Sequence, residues 1–306
     1  MNENRPVATS TVLTEYRTRL WMGLVMAVVA SGVLVLDHLL AVQFQLPLYP
    51  CLLLSMLSLG VLTVLELHSL VRVYHRPPLW LCLLASCGML LANWPAHLHW
   101  TGGEPPQPWR DLMVCLTGLV LLGFLFEMAW YRKPDGATVR LALLTWTAIY
   151  LGLLPAFFVQ LRWWPDGPDD LRGVTALSLA IFVPKGGDIG AYFAGRWLGR
   201  HRMTPLLSPK KTWEGLLGGL LLSVVVAVLL NRLLQPVLPS DWEAAAFGLI
   251  VGGAGVLGDL GESLLKRDCQ HKDASQVVPG FGGVLDVVDS VLFAAPVAYL
   301  WLFLHR

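Results

Sequence analysis

Acidic residues beside long apolar runs have the types and the spacing that suit cation binding. Asp286 and Asp289 open the last apolar run, Asp259 and Glu262 close the one before it, and Asp188 interrupts an earlier one. Residues three apart share one face of a helix, and adjacent carboxylates repel unless a cation or a proton lies between them. Oxygen ligands suit Mg²⁺, and the lack of a His or Cys at ligand spacing argues against zinc. The pattern predicts a Mg²⁺ site, although a single such acid would equally suit a span end that faces lipid headgroups.

Basic residues and a glycine-rich turn accompany these acids. Lys266, Arg267 and Lys272 follow the second acidic pair, and the segment 208–212 (SPKKT) precedes another apolar run. The segment 279–283 (PGFGG) permits tight turns just before a helix begins, where backbone N–H groups can face an anion. Bases at a membrane surface also have a plainer role, in which they bind anionic lipid. Acids, bases and turn together indicate a site for a polyphosphate with Mg²⁺.

The composition is that of a membrane protein. Of the 306 residues, 55% are hydrophobic and 14% are charged, whereas soluble domains are about a quarter charged. The net charge of +1 gives no indication of a nucleic-acid partner. Since about 20 apolar residues cross a bilayer, the sequence predicts an all-α polytopic membrane protein with about nine transmembrane helices. The nine runs are 20–41, 48–66, 79–96, 112–131, 141–161, 174–195, 215–234, 243–260 and 287–304.

The loops between these runs alternate in positive charge. One set of loops holds sixteen Lys and Arg residues and the other holds five. The positive-inside rule makes the richer set cytoplasmic, which predicts a cytoplasmic N-terminus and an external C-terminus. The richer set comprises Arg5, Arg17, Arg19, Arg72, Arg76, Arg132, Lys133, Arg140, Arg196, Arg200, Arg202, Lys210, Lys211, Lys266, Arg267 and Lys272, and the other comprises Arg110, Arg162, Arg172, Arg232 and Arg306.

The distribution of polar residues divides the chain into two parts. Residues 1–170 contain ordinary spans and are interpreted as a transmembrane scaffold, whereas residues 171–306 contain the polar-bearing spans and are interpreted as the catalytic region with a cytoplasmic-facing site. The predicted external loops at 100–109 and 163–170 are rich in Pro, Gly and Trp and are interpreted as connectors. The five cysteines lack metal-ligand spacing and are predicted to be free thiols.

The run 263–290 (SLLKRDCQHKDASQVVPGFGGVLDVVDS) resembles the motif of the CTP:phosphatidate cytidylyltransferases, also called CDP-diacylglycerol synthases. The family pattern is Ser, two residues, Lys-Arg, four residues, Lys-Asp, then a Pro-Gly-His-Gly-Gly turn and Asp-Arg-x-Asp-Ser. The stretches 187–202, 208–215 and 258–263 resemble the family as well. The chain departs from the pattern at Phe281, where the family has His, and at Val287, where it has Arg. The matching positions are Ser263, Lys266, Arg267, Lys272, Asp273, Pro279, Gly280, Gly282, Gly283, Asp286, Asp289 and Ser290.

The resemblance implies transfer of CMP from CTP to phosphatidic acid, with Mg²⁺ present as two divalent ions or as one ion with a monovalent cation. It implies a multi-pass protein of the lipid bilayer, most simply the bacterial inner membrane, and leaves a homodimer open. The catalytic group is assigned to acids that hold the metal and bases that bind phosphate: Asp259, Asp286 and Asp289, with Lys266 and Arg267. Substrate-binding roles are assigned to Ser208, Lys210, Lys211, Thr212, Lys272 and Asp188.

Three other functions fit parts of the pattern. A CTP-dependent lipid kinase would move the γ-phosphoryl group instead and release CDP. A transporter would carry cations past intramembrane acids, but it predicts acids in mid-span and two matched halves, neither of which the sequence shows. A catalytically silent relative is suggested by Phe281 and Val287, whereas the intact acids and the Lys266–Arg267 pair favour an active enzyme.

Overall fold

The computed structural model describes residues 8–44, 48–98, 107–164 and 171–305. Within these ranges the chain forms eleven α-helices and one β-hairpin. The helices are α1 (Ala8–Phe44), α2 (Pro50–Leu70), α3 (Leu79–Leu91), α4 (Pro95–Leu98), α5 (Pro108–Ala129), α6 (Ala137–Ala148), α7 (Leu154–Gln160), α8 (Arg172–Leu198), α9 (Trp213–Leu233), α10 (Asp241–Asp268) and α11 (Val284–Leu304). The hairpin consists of β1 (Arg202–Thr204) and β2 (Ser208–Thr212).

The nine predicted spans are confirmed as helical segments of the described chain, and the protein is an all-α multi-pass membrane protein. Among the residues that the structure describes, eight segments are long and apolar enough to cross a bilayer. The remaining long helix, α8, has 27 residues but includes Lys185 and Asp188 within its length. The fifth span consists of α6 and α7, which the wider turns of Ile149–Leu153 join into one segment.

Several helices extend beyond their apolar runs. The predicted last span began at residue 287, whereas α11 begins at Val284 and contains Asp286 in its first turn. The predicted eighth span ended at residue 260, whereas α10 continues to Asp268. Apolar composition is required only inside the hydrocarbon layer, and the helix can continue through polar residues outside it because its hydrogen bonds are internal. These extensions place the acids and bases of the site on regular helices.

The β-hairpin lies between α8 and α9, in a segment for which the sequence predicted only a loop. Arg202 pairs with Thr212 and Thr204 pairs with Ser208 in an antiparallel ladder. The hairpin leads directly into α9. Its last residue, Thr212, caps this helix, since the Thr212 hydroxyl accepts a hydrogen bond from the Gly215 N–H at 3.1 Å. The orientation of the basic segment 208–212 is therefore fixed by a strand and a helix cap.

Small residues allow the C-terminal helices to approach closely. A Cβ atom at Gly190 in α8 would lie 2.6 Å from the carbonyl oxygen of Gly218 in α9. Likewise, a Cβ atom at Gly255 in α10 would lie 2.7 Å from Cβ of Pro184 in α8. Close backbone approach through small residues is a common way for helices to associate inside a bilayer. It gathers α8, α9, α10 and α11 into one bundle.

The opposite end of the bundle from the α10–α11 connection contains a second group of buried polar side chains. Asp37 in α1 is 1% exposed and accepts hydrogen bonds from the N–H groups of Cys51 and Leu52 at the start of α2. The guanidinium carbon of the buried Arg162 lies 3.8 Å from the centre of the Tyr49 ring. These contacts join α1, α2 and the end of the fifth span.

Parts of two predictions lie outside the described residues. These are residues 100–106 and 165–170, which make up most of the two predicted connectors, and Arg5 and Arg306 of the charge count. All five cysteines are free thiols, as predicted.

Candidate active site

Three carboxylates converge where α10 and α11 cross. A Cβ atom at Gly258 would overlap the carbonyl oxygen of Asp289, so a glycine is required for the two backbones to meet there. The neighbouring acids Asp259, Glu262 and Asp289 each offer an oxygen, and these oxygens lie within 4.8 Å of one another. Glu262 is 1% exposed, and its Oε1 atom has no hydrogen-bond partner. A buried carboxylate oxygen without a partner among other carboxylates is a position that suits a cation.

Two lysines contact this group from different sides. Lys211 of the hairpin places its Nζ atom 2.8 Å from Asp259 Oδ2. Lys266 of α10 places its Nζ atom 2.6 Å from Glu262 Oε2 and also pairs with Asp286 of α11. Lys266 is buried, so it links α10 to α11 and is not presented to a ligand. Lys211 is partly exposed and is the more accessible of the two.

A third lysine lies deeper in the bundle. Lys185 of α8 has its Nζ atom 3.1 Å from Asp188 Oδ2 and 3.6 Å from Asp289 Oδ1. Asp188 also accepts a hydrogen bond from the Ser290 hydroxyl at 3.0 Å. The Lys185 side chain retains 30% of its accessibility and that of Asp188 retains 34% although both lie within the membrane-spanning helix. Both side chains are therefore only partly buried, and the position of Asp188 in a polar cavity stays a prediction.

Asp286, which the sequence assigned to the metal, lies outside the three-carboxylate group. Its Oδ2 atom accepts hydrogen bonds from the N–H groups of Gly283 and Ala274, at 2.7 and 3.1 Å. The predicted tight turn before α11 is confirmed, because Gly280 and Gly282 have φ angles of 82° and 109°, which favour glycine. Asp286 therefore closes this turn and is linked to Glu262 through Lys266.

Glu66 in α2 belongs to the same region but was not identified from the sequence. Its Oε1 atom accepts hydrogen bonds from Val284 N and from the Ser275 hydroxyl, and its Oε2 atom accepts one from Leu285 N. The sequence indicated that N–H groups at this helix start can face an anion. In the structure two of them bind the internal carboxylate of Glu66. The signal that could have identified it is a lone acid in an otherwise apolar run.

The remaining predicted substrate residues lie on the hairpin and around the end of α10. Lys210 is exposed and lies next to Lys211 on β2, opposite the register shift between Arg202 and Thr204. Thr212 caps α9, and Ser208 is paired across the hairpin. Arg267 is exposed and its Nε atom donates to the carbonyl oxygen of Leu207 at the hairpin tip. Lys272 is exposed in the loop after α10.

The two departures from the family pattern lie at different depths. Phe281 is 39% exposed at the tip of the glycine turn, and its ring lies beside Gly23 of α1. Val287 is half-buried in the first turns of α11. Neither side chain can carry a charge into the site.

These features define a multi-pass helical membrane protein with a group of interleaved acids and lysines near one end of its bundle. The model of the cytidylyltransferase family matches residues 15–305. The chain therefore belongs to the cytidylyltransferase family.

Several curated proteins are similar to the chain. A phosphatidate cytidylyltransferase of Synechocystis sp. is 37% identical over 63% of this chain and 71% of its own length. A phosphatidate cytidylyltransferase of Bacillus subtilis is 37% identical over 52% of this chain and 57% of its own length. The Escherichia coli protein YnbB, whose name states no activity, is 29% identical over 72% of this chain and 75% of its own length.

Proposed function

We propose that the protein transfers CMP from CTP to phosphatidic acid and forms CDP-diacylglycerol and pyrophosphate. The observation that carries the proposal is the convergence of Asp259, Glu262 and Asp289 oxygens within 4.8 Å, next to lysines from two other elements. Relatives that are named for this reaction support the choice of substrates.

The donor set supports Mg²⁺ as the cofactor. Asp259, Glu262 and Asp289 offer only oxygen, which is what Mg²⁺ prefers, and Glu262 Oε1 lacks another partner. With all groups ionised, five carboxylates (Asp188, Asp259, Glu262, Asp286 and Asp289) face three ammonium groups (Lys185, Lys211 and Lys266). The difference of two negative charges equals the charge of one divalent cation. A bound Mg²⁺ would neutralise charge on the triphosphate; a second ion, divalent or monovalent, stays a prediction.

The reaction forms one bond and breaks one. A phosphate oxygen of phosphatidic acid attacks the α-phosphorus of CTP, and the bond from that phosphorus to the bridging oxygen of the β-phosphate breaks, so that pyrophosphate leaves. The lipid phosphate is already an anionic nucleophile, and no strong general base is required. The principal task is to hold two anions together. Lys210, Lys211, Arg267 and Lys272 are the bases assigned to the phosphates, with Ser208 and Thr212 near the nucleotide.

Asp286 and Lys266 have a supporting role in this scheme. Their ion pair joins α11 to α10, and Lys266 also contacts Glu262. They hold the acids in register, which refines the direct metal role first assigned to Asp286. Asp188 is assigned to the polar space beside Lys185.

The proposed site faces the cytoplasm, where CTP is available. The excess of sixteen Lys and Arg residues over five in the alternating loops supports this orientation. In a bacterium the corresponding membrane is the inner one.

The test uses purified protein in detergent with phosphatidic acid, Mg²⁺ and CTP labelled at either the α- or the γ-phosphate. We expect the α-label in the lipid product and the γ-label in pyrophosphate. Entry of only the γ-label into lipid would indicate the alternative lipid kinase. Absence of both from lipid would indicate the catalytically silent relative.

A pair of variants ties the reaction to the site. Asp289→Asn should abolish turnover while the protein still inserts and folds, because it removes charge from the three-carboxylate group. Glu243→Gln, at the other end of α10, is the matched control and should retain full activity. Near-normal turnover in Asp289→Asn would contradict the metal assignment.

A further inference from the structure

Glu66 is a buried acid in the part of the chain interpreted as scaffold. It lies in the last turns of α2, is 6% exposed, and is separated from its partner Val284 by 218 residues. Three hydrogen bonds end on its carboxylate, from Ser275 Oγ at 2.6 Å, Val284 N at 2.9 Å and Leu285 N at 2.7 Å. Burying a carboxylate is costly, and these three hydrogen bonds compensate for the burial of Glu66.

We propose that Glu66 is a positioning residue for the proposed active site, which holds the start of α11 so that Asp286 and Asp289 meet α10 in register. The inference rests on the proposed function. Glu66 does not touch the three-carboxylate group itself in this scheme. It acts through the backbone of the helix that carries two of the acids.

The physical basis is the open hydrogen-bonding capacity at a helix start. The first N–H groups of a helix have no partner within it, and the helix dipole makes them attract negative charge. Glu66 satisfies Val284 and Leu285, while Asp286 satisfies Gly283 from within the helix. The N–H groups of Gly283, Val284 and Leu285 therefore all have carboxylate partners. Asp289 follows about one turn after Asp286.

The contact with Gly283 shows how closely Glu66 approaches the helix start. A Cβ atom at Gly283 would lie 2.6 Å from Glu66 Oε2. The φ angle of Gly283 is −92°, which any residue can adopt, so the carboxylate and not the backbone conformation requires a glycine here. This glycine belongs to the family-like motif, whereas Glu66 lies outside it.

Glu66 also connects the loop that carries predicted phosphate-binding residues. Ser275 lies between Lys272 and the glycine turn, and its hydroxyl donates to Glu66 Oε1. One carboxylate on α2 thus anchors both the loop after α10 and the start of α11. Displacement of either would move groups that the proposed reaction requires in fixed positions.

Asp37 provides a matched control elsewhere in the molecule. It is also a buried carboxylate that accepts two backbone N–H groups at a helix start, those of Cys51 and Leu52 in α2. It lies at the opposite end of the bundle from the proposed site. Loss of Asp37 removes a comparable helix cap without disturbing α11.

The first experiment compares Glu66→Gln with Asp37→Asn in the full-length protein. The readouts are Mn²⁺ affinity by electron paramagnetic resonance, deuterium uptake by residues 284–290, and kcat separately from KM for CTP. We expect Glu66→Gln to weaken Mn²⁺ binding and to lower kcat by about 10- to 100-fold, the usual effect of losing a group that orients metal ligands. Uptake at 284–290 should rise. Asp37→Asn should lower thermal stability but leave all three readouts unchanged.

The second experiment is a double-mutant cycle between Glu66 and Gly283. Gly283→Ala should weaken Mn²⁺ binding in the wild-type background, since the new Cβ collides with the carboxylate. In the Glu66→Ala background the same change should have little further effect, because the collision partner is absent. Ser275→Ala, which removes one of the three hydrogen bonds, should give a smaller defect and serves if the Glu66 variants fail to fold.

The outcomes separate this inference from the proposed function. If Glu66→Gln matches Asp37→Asn in Mn²⁺ affinity, kcat and uptake at 284–290, or if the cycle is additive, the positioning role is wrong. If the wild-type protein converts no CTP and phosphatidic acid but shows the Glu66-dependent changes in uptake and Mn²⁺ binding, the proposed function fails while the positioning role holds.

Discussion

Gly258 of α10 packs directly against the backbone of Asp289 in α11, and a single Cβ atom would force the two helices apart. The contact lies one residue before Asp259 and one turn before Glu262, which are the acids that converge with Asp289. The crossing of α10 and α11 at Gly258 therefore brings the three carboxylates together. Changes that alter the crossing should alter cation binding even when no carboxylate is changed.

Gly258→Ala should therefore weaken divalent-cation binding and reduce activity. The new methyl group overlaps the Asp289 carbonyl, and such overpacking typically costs about 1–3 kcal/mol. Gly253→Ala on the same helix is the control, because its Cβ would meet only a flexible Leu220 side chain at 4.0 Å. Thermal unfolding with and without Mn²⁺ would measure both effects. Equal behaviour of the two variants would contradict a special role for the crossing at Gly258.

Lys185→Met should destabilise the protein in the absence of divalent cations. The change keeps the length of the side chain but leaves Asp188 and Asp289 without their ammonium partner. Breaking a buried pair costs about 3 kcal/mol or more, and because Lys185 and Asp188 are only partly buried, the loss should fall below that figure. Added Mg²⁺ should raise the melting temperature of this variant more than that of the wild type. Lys133→Met in an exposed loop is the control and should respond like the wild type.

Lys210 and Lys211 should have separable effects because Lys211 pairs with Asp259, whereas Lys210 is exposed. Lys211→Met removes the ion pair with Asp259 and should shift the Mg²⁺ dependence of turnover. Lys210→Met leaves that pair intact and should raise KM for CTP by about tenfold, the equivalent of one charge-assisted hydrogen bond of roughly 1.5 kcal/mol. Kinetics at varied CTP and Mg²⁺ would distinguish them. Identical profiles for the two variants would contradict these separate roles.

Cys269 should resist alkylation in the folded protein. The side chain is 3% exposed, and burial, assisted by the charge of Asp268, raises the pKa of its thiol above the ordinary value of 9.0. Little reactive thiolate is present near neutral pH. Because the unfolded chain ionises first as the pH rises through that value, stability should fall on the alkaline side. Mass spectrometry after maleimide treatment would check the labelling, and a thiol introduced by Gln276→Cys, at an exposed position of the same loop, should react rapidly.

Much of the fold was predictable because a bilayer imposes a simple rule. Each membrane span needs about 20 apolar residues, and this requirement appears directly as apolar runs. The glycine turn before α11 was also predictable, since positive φ angles at Gly280 and Gly282 follow from local chemistry. The hairpin between α8 and α9 was missed because its short strands are stabilised by the flanking helices and show no strand pattern of their own.

The site was only partly predictable. The sequence indicated Asp259 and Asp289 and placed Glu262 on the same helix face as Asp259, but it did not show that Asp286 would be used to close a turn. Two carboxylates three residues apart on one helix have the same local pattern whichever partner each one meets. The partner depends on the neighbouring helix, which the sequence does not identify.

By itself, the sequence determined that the chain is a multi-pass helical membrane protein with a dense run of acids and bases between Gly258 and Ser290. Tertiary structure alone decided which of these groups meet, that Lys185 lies between Asp188 and Asp289, and that Glu66 holds the start of α11. The physical reason is the distance along the chain over which each interaction acts. Apolar runs and turn residues act locally along the chain, whereas ion pairs and helix caps between distant segments depend on how closely small residues such as Gly258 allow the helices to approach.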